Sequence, residues 1–334
     1  MSPKRRIIPV FVPAEGCMHA CVYCDQNTIS GKANKATTAD VREAVGSYLY
    51  NDCPAEIAFY GGSFTAIPIK RQNELLAAAQ PFLSNNPARA LRISTRPDCI
   101  DVETITRLKA YGVKTIEIGA QSMDEDVLEQ ASREHTAIDV ANAASLIKQN
   151  GLSLVLQMMT GLPGDTRNKS LHTAESFIAL QADAVRIYPT VIVRGTQLHD
   201  MWLRGDYHEH SVDDAVELCS EICSLFMDAG IPVIRLGLNP TELLSGGEAV
   251  AGAYHPALGE LVYSRMYFEK AKSALNNMDC RNSSVTIIVP TGDMSKMVGH
   301  KRSNICELSE NFNLSTVIVK ESNLNQGEIV IEIN

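Results

Sequence analysis

The chain has 334 residues, enough to bury the core of one large barrel with a small appendage, or of two ordinary domains. Its 45% hydrophobic and 21% charged residues are the balance of a globular protein, and no run approaches the roughly 18 apolar residues that a membrane-spanning helix requires, so membrane insertion is not indicated and a cytoplasmic location is expected. A formal net charge of -9 excludes a surface that is cationic throughout, which leaves only a local basic patch for any nucleic-acid contact.

The chain opens on MSPKRRIIPVFVPAEG, a basic patch and a short apolar run broken by prolines. It has no small-residue cleavage site and reads as a first strand, IIPVFV from Ile7, rather than as a signal peptide. Further β-rich runs follow as EIAFY from Glu56, LRIST from Leu91, TIEIG from Thr115, LVLQMM from Leu154 and AVRIY from Ala184. Between them lie amphipathic stretches such as TADVREAVGSYLY from Thr38, DVETITRLKAYG from Asp101 and AIDVANAASLIKQNG from Ala137, several closed by a glycine as a helix C-cap should be. Strands alternating with helices, without a Rossmann GxGxxG, predict an α/β fold built as a partial (β/α)6-type barrel of about six strands.

From about residue 211 the pattern changes to a long helix, DDAVELCSEICSLFMDAG, one more strand, IPVIRL from Ile231, and a Gly-rich turn containing His255. This is read as an extension that caps the barrel, so the first domain runs over residues 1–277. His255 is a candidate substrate contact, because the Gly-rich turn before it could face the barrel mouth. The polar stretch NNMDCRNSS reads as a linker to a small α+β domain over 284–334. Cys219 and Cys223 stand four apart on the long helix; core packing is the better reading than a second metal site. His199, His208 and His210 near Trp202 read as surface or cap residues.

Nine cysteines, an odd number scattered over a long chain, do not make a secreted disulfide framework. Three of them, Cys17, Cys21 and Cys24, form C-x3-C-x2-C just after the first strand, at the strand end where barrel enzymes place their chemistry. Three thiolates leave one iron of a 4Fe-4S cubane without a protein ligand, an opening suited to an amino acid chelate such as methionine. A structural zinc site would need a fourth ligand, for which His19 is at hand.

This motif, with Tyr23 just before the third cysteine, resembles the radical S-adenosyl-L-methionine (SAM) superfamily. The resemblance implies a 4Fe-4S cluster on the three cysteines that passes an electron to SAM, giving methionine and a 5'-deoxyadenosyl radical that takes a hydrogen atom from the substrate. It also implies a reducing partner such as flavodoxin or ferredoxin, and an adenine bordered by the backbone near Tyr23. YGGSFTAIP from Tyr60 then supplies Gly61, Gly62 and Ser63 as the site of the SAM amino group, although many relatives carry an acid where Ser63 stands. Taken alone, such a strand-Gly-Gly-helix segment is only a tight turn. Arg96 in ISTRPDCID, Gln121 in IEIGAQSMDEDVL and Arg133 in ASREHT sit at or just after strand ends, and so does the glycine-rich GLPG from Gly161. By the same frame they are expected to bind the carboxylate and ribose of SAM, with Arg133 as the carboxylate fork; the alternative is that both arginines pair with surface acids.

The match continues through VRIYPTVIVRGTQLHDMWLRGDY from Val185 and is similar to the radical SAM domain of the Elongator catalytic subunits, which modify the wobble uridine of tRNA. It covers roughly residues 5 to 265; oxygen-independent coproporphyrinogen oxidases resemble the chain more weakly, through its QS and GLPG segments. The expected function is therefore a radical SAM enzyme acting on a tRNA base or a nucleobase-derived substrate. A radical enzyme acting on a small metabolite, and a non-catalytic metal-binding scaffold, are the competing readings. LGLNPTELLSGGEAVAGAYHPALGELVYSR replaces the part that would lead into the Elongator acetyltransferase domain, so acetyl-CoA chemistry is not expected. In the tail, Lys296, His300, Lys301 and Arg302 surround Gly299 between two predicted strands, which resembles a KH domain that clamps a nucleic-acid backbone, with Arg302 where the second glycine would stand. The alternative there is the solvated basic start of a packing helix.

Overall fold

Successive side chains of a strand point to opposite faces, and in the first two thirds of this chain that alternation separates a core from a lumen. The computed structural model describes residues 6–12, 21–25, 28–29, 35–48, 55–84 and 90–334. Within them, β1 (Arg6–Val12), β2 (Ala55–Gly61), β3 (Ala90–Thr95), β4 (Val113–Gln121), β5 (Ser153–Thr160) and β6 (Ala184–Pro189) pair in parallel, in sequence order. One set of residues, including Ile8, Ile57, Leu91, Ile116, Leu154 and Val185, is fully buried against the outer helices. The alternate set, including Phe11, Tyr60, Ser94, Glu117, Gln157 and Arg186, lines a central cavity.

The outer layer comprises α1 (Thr38–Tyr48), α2 (Ile69–Ser84), α3 (Val102–Ala110), α4 (Glu125–Gln130), α5 (Ala137–Gln149) and α6 (Arg167–Ala179). Their starts follow capping chemistry: the Asp101 carboxylate accepts from Thr104 N, and Thr136 with Asp139 forms a reciprocal capping box at α5. The short β7 (Val191–Val193) leads to α7 (Gln197–Arg204) and α8 (Val212–Asp228), then β8 (Val233–Leu236), β9 (Ala249–Gly252) and α9 (Leu258–Asn276).

The sheet is a curled half-barrel of seven strands rather than six, in the order β1-β2-β3-β4-β5-β6-β8. The strand from IPVIRL, expected as part of a cap, pairs in parallel with β6 and extends the barrel sheet. β1 and β8 are left as its two edges, while β7 and β9 pair with each other as a separate antiparallel ribbon. Cys219 and Cys223 are completely buried in the core, as their spacing suggested, and burial pushes the Cys219 thiol up to about 12.

The tail follows a βααβ path with one further strand: β10 (Ser284–Pro290), α10 (Met294–Val298), α11 (Ser303–Phe312), β11 (Thr316–Ser322) and β12 (Val330–Ile333). β10 is central, parallel to β11 and antiparallel to β12. Its core is continuous with that of the barrel: Val285, Ile287, Ile305 and Leu308 share one buried cluster with Val262 and Phe268 of α9. Polar ties reinforce the seam, with Asn304 Nδ2 donating to the Ser264 carbonyl at 3.1 Å and Tyr267 Oη to Asp293 at 2.5 Å. Among the described residues, no helix is long and apolar enough to cross a membrane.

Candidate active site

The C-terminal strand ends surround a cavity of about 850 Å³, large enough for a cofactor and a further group side by side. Cys21 and Cys24 enter it on a tight turn closed by Cys24 N donating to the Cys21 carbonyl at 3.0 Å. That turn is tied to distant segments through Val22, whose N–H donates to the Ala131 carbonyl at 3.2 Å and whose carbonyl accepts from Leu198 N at 2.8 Å. Two of the three predicted metal-ligating thiols thus share one side of the cavity. Cys17, and His19 as the alternative zinc ligand, lie outside the described residues. Tyr23 lies buried between the two thiols in sequence, and burial pushes its phenol well above the ordinary range.

Arg133 reaches the same point from the segment after α4. One terminal nitrogen donates to Cys21 Sγ at 3.3 Å and the other to the Gly119 carbonyl at 2.5 Å. Its Nε is buried with no hydrogen-bond partner among the described residues. Burial opposes its charge, yet Tyr23, Cys21 and Cys24 outweigh burial and hold the guanidinium charged. A desolvated cation whose hydrogen bonds among the described residues go to a thiol and a carbonyl fits an anionic cluster or the carboxylate of an amino acid ligand. Gly119 keeps the approach open: a Cβ there would meet Gln121 Nε2 at 3.0 Å.

Gly61, Gly62 and Ser63 line the opposite wall, where the backbone leaves β2 with Gly61 in the left-handed region at φ 119°. Gly62 N donates to the Val12 carbonyl at 3.0 Å, locking the turn to the end of β1. The Ser63 hydroxyl is already engaged, sharing a 2.8 Å hydrogen bond with Thr95 Oγ1 and accepting from Arg96 N at 3.1 Å. Gln121, at φ 67° beside a bulge between β4 and β5, accepts from Gln157 Nε2 at 3.2 Å. Arg96 lines the cavity too, but Asp98 holds its guanidinium in a bidentate pair at 2.9 and 2.8 Å. The two arginines thus differ: Arg96 pairs with an acid, while the contacts of Arg133 are a thiol and a carbonyl.

His255 is exposed, accepts from Ala257 N at 3.1 Å, and does not line this cavity. The GLPG turn lies against Tyr207 and His210 in a separate recess of about 270 Å³. Tyr207 Oη donates to the Gly161 carbonyl at 2.6 Å, and His210 packs so closely that a Cβ at Gly161 would lie 2.8 Å from it. The turn therefore abuts the loop before α8 rather than entering the cavity.

Sequence reasoning missed the charges of the lumen. Arg92 pairs with Glu56 and, at 2.7 Å, with Glu117, and Arg186 Nε lies 2.8 Å from Glu117 Oε2. Tyr60 Oη donates to Glu117 at 2.9 Å. The available signal was a single charged residue inside each of three otherwise uncharged β-rich runs, LRIST, TIEIG and AVRIY.

A radical SAM superfamily model matches residues 11–177, and a radical SAM C-terminal domain model matches residues 182–267. The chain belongs to the radical SAM superfamily. Enzymes of this family use a 4Fe-4S cluster and SAM. Among curated relatives, this radical SAM chain is 30% identical over 232 residues to Elongator complex protein 3 of Bos taurus, covering 63% of this chain and 41% of that protein. It is 24% identical over 319 residues to the tRNA uridine(34) acetyltransferase of Methanocaldococcus jannaschii, covering 82% of this chain and 58% of that protein. The chain thus spans about half the length of the curated relatives it matches. In fold, it resembles the solved Methanocaldococcus infernus Elp3 with its N-terminus deleted, at TM-score 0.63 and 24% identity over 80% of this chain and 63% of that one.

Proposed function

We propose that Cys17, Cys21 and Cys24 hold the 4Fe-4S cluster at the mouth of the half-barrel, and that SAM lies beside it against Tyr23, Gly61, Gly62, Ser63, Arg96, Gln121 and Arg133. The substrate in this reading is a uridine of tRNA or a nucleobase-derived molecule. The observation that carries it is the meeting of Cys21, the buried Arg133 that donates to it and the Gly61–Gly62 turn around one cavity. When bound, the cluster supplies the electron that cleaves SAM to a 5'-deoxyadenosyl radical. The chain's own residues hold and orient: Arg133 offers charge to a carboxylate, the glycine turn allows close backbone approach, and Tyr23 closes one side to water. The tRNA assignment is supported by the likeness to the archaeal tRNA uridine(34) acetyltransferase and by the exposed Lys301 and Arg302 after Gly299 in the tail.

The charged lumen favours a second reading, in which a small charged metabolite is the substrate and the tail only packs. Both readings require 5'-deoxyadenosine to form when the anaerobically reconstituted protein meets SAM and dithionite. Its absence would return the chain to a metal-binding scaffold. Incubation with undermodified tRNA, followed by nucleoside mass analysis, separates the two: a mass change on a uridine supports the tRNA reading, and unaltered nucleosides favour the metabolite.

A further inference from the structure

β6 and β8 are neighbours, and their register sets Arg186 directly beside Arg235. Both line the cavity. Adjacent strands lie about 4.8 Å apart, and like charges at such a pair destabilise a sheet unless something offsets them. Arg186 has its offset in Glu117, 2.8 Å away. Arg92 has Glu56 and Glu117. Arg235 has no carboxylate partner among the described residues: its Nε donates to the Gly237 carbonyl at 2.9 Å, and its terminal nitrogens make no hydrogen bond or ion pair there. Among the described residues of the strands, the three arginines Arg92, Arg186 and Arg235 thus meet two acids, Glu56 and Glu117. Arg235 is only half-buried, and it sits on an edge strand where the half-barrel is open rather than closed by a neighbour. The Tyr188 hydroxyl, which accepts from Arg186 at 3.2 Å, also lines the cavity.

We propose that Arg235, with Tyr188 beside it, forms a subsite for an oxyanion of the substrate, a phosphate or a carboxylate, admitted at the open edge of the half-barrel. The subsite rests on the reading that this cavity takes substrate, but it needs neither tRNA nor the tail. A guanidinium offering two free terminal nitrogens matches the planar, bidentate geometry of such groups. An oxyanion there would complete the charge balance that Glu56 and Glu117 leave short.

The test uses cluster-loaded, SAM-saturated protein without reductant, so that nothing turns over. Inorganic phosphate and acetate are the probes, titrated calorimetrically at constant ionic strength. Wild-type protein is expected to bind at least one of them saturably, and Arg235→Gln to weaken that binding about tenfold or more, as loss of a charge-assisted pair should. Saturable phosphate binding points to a phosphorylated or nucleotide substrate, acetate binding to a carboxylate. Arg235→Lys should retain part of the affinity, because the charge remains while the fork is lost. Tyr188→Phe, which removes a single hydroxyl, should weaken binding severalfold and decides the matter if Arg235→Gln fails to fold. Binding of neither probe, or equal affinity in wild type and variants, overturns the subsite. Unmodified tRNA alongside intact phosphate binding would instead overturn only the tRNA assignment, so the two ideas fail separately.

Discussion

The guanidinium of Arg133 faces sulfur and a carbonyl, with its Nε unpartnered among the described residues, and a desolvated cation in that position is stable only beside negative charge. Replacing it with Ala should weaken SAM binding about tenfold or more, the worth of a charge-assisted contact of roughly 1.5–3 kcal/mol, while iron content stays at the wild-type level. An unchanged SAM dissociation constant would remove Arg133 from the cofactor site. Cys21→Ala and Cys24→Ala should each abolish the absorbance near ~400 nm of a cluster that depends on cysteine thiolates, whereas Cys219→Ala, buried in the core, should keep it. Full iron retention in Cys21→Ala would contradict the assignment. His135 makes a separate, pH-dependent prediction. Burial, reinforced by Arg133, lowers its pKa from 6.5 to about 4, and its ring nitrogen Nε2 lies 3.0 Å from the Ala120 carbonyl. Because the folded value is the lower one, the unfolded chain binds the extra proton as pH falls through 6.5, and stability is lost on acidification toward 4. Urea unfolding should show about 1–2 kcal/mol less stability at a pH of about 5 than at about 7, and His135→Gln should flatten that difference. An equal slope in the variant would assign the effect to other groups.

At the scale of elements, the first six strands were legible because each is a short apolar run between turn signals, and burial on the helix side demands that pattern. The lumen face was less legible. A charge such as Glu117 inside an apolar run reads as a surface position until the sheet curls and brings Arg92 and Arg186 to it. Ser63 was legible as a residue of the turn but not as a partner of Thr95, since that contact spans 32 positions and depends on strand register. The strand at Val233–Leu236 was found but assigned to a cap, because periodicity does not report which neighbour a strand pairs with. In the tail, Lys301 and Arg302 hold left-handed backbone at φ 49° and 65° after Gly299, projecting two exposed cations from the turn into α11. Lys296, by contrast, is tied to Asp293 at 2.7 Å and lies over the Tyr263 ring. Changing Lys301 and Arg302 together to Ala should weaken tRNA binding and lower the salt slope by about 0.7–0.9 per lost phosphate contact. A wild-type protein whose RNA binding shows no salt dependence would make this turn a packing feature only.

At the scale of the molecule, α9 is shared between the barrel and the tail, so the segment after residue 277 behaves less as a tethered module than as a wall of the same core. Truncation there should strip cover from Tyr267 and Phe268, both nearly fully buried, and the shortened protein should melt well below the intact one or aggregate. The intact chain should unfold in a single calorimetric transition; two separated transitions would show that the tail folds alone. The cysteine turn carries a further consequence at this scale. It is stapled through Val22 to Ala131 and Leu198, and its sulfur meets Arg133, 112 positions later in the chain. When Cys21 and Cys24 leave the ribosome, Ala131, Arg133 and Leu198 have not yet been synthesised, so the turn has only its own hydrogen bond from Cys24 N to the Cys21 carbonyl to hold its shape. The final geometry of the turn therefore follows translation of most of the barrel, and a group that depends on that geometry is expected to be bound late, by a nearly finished fold.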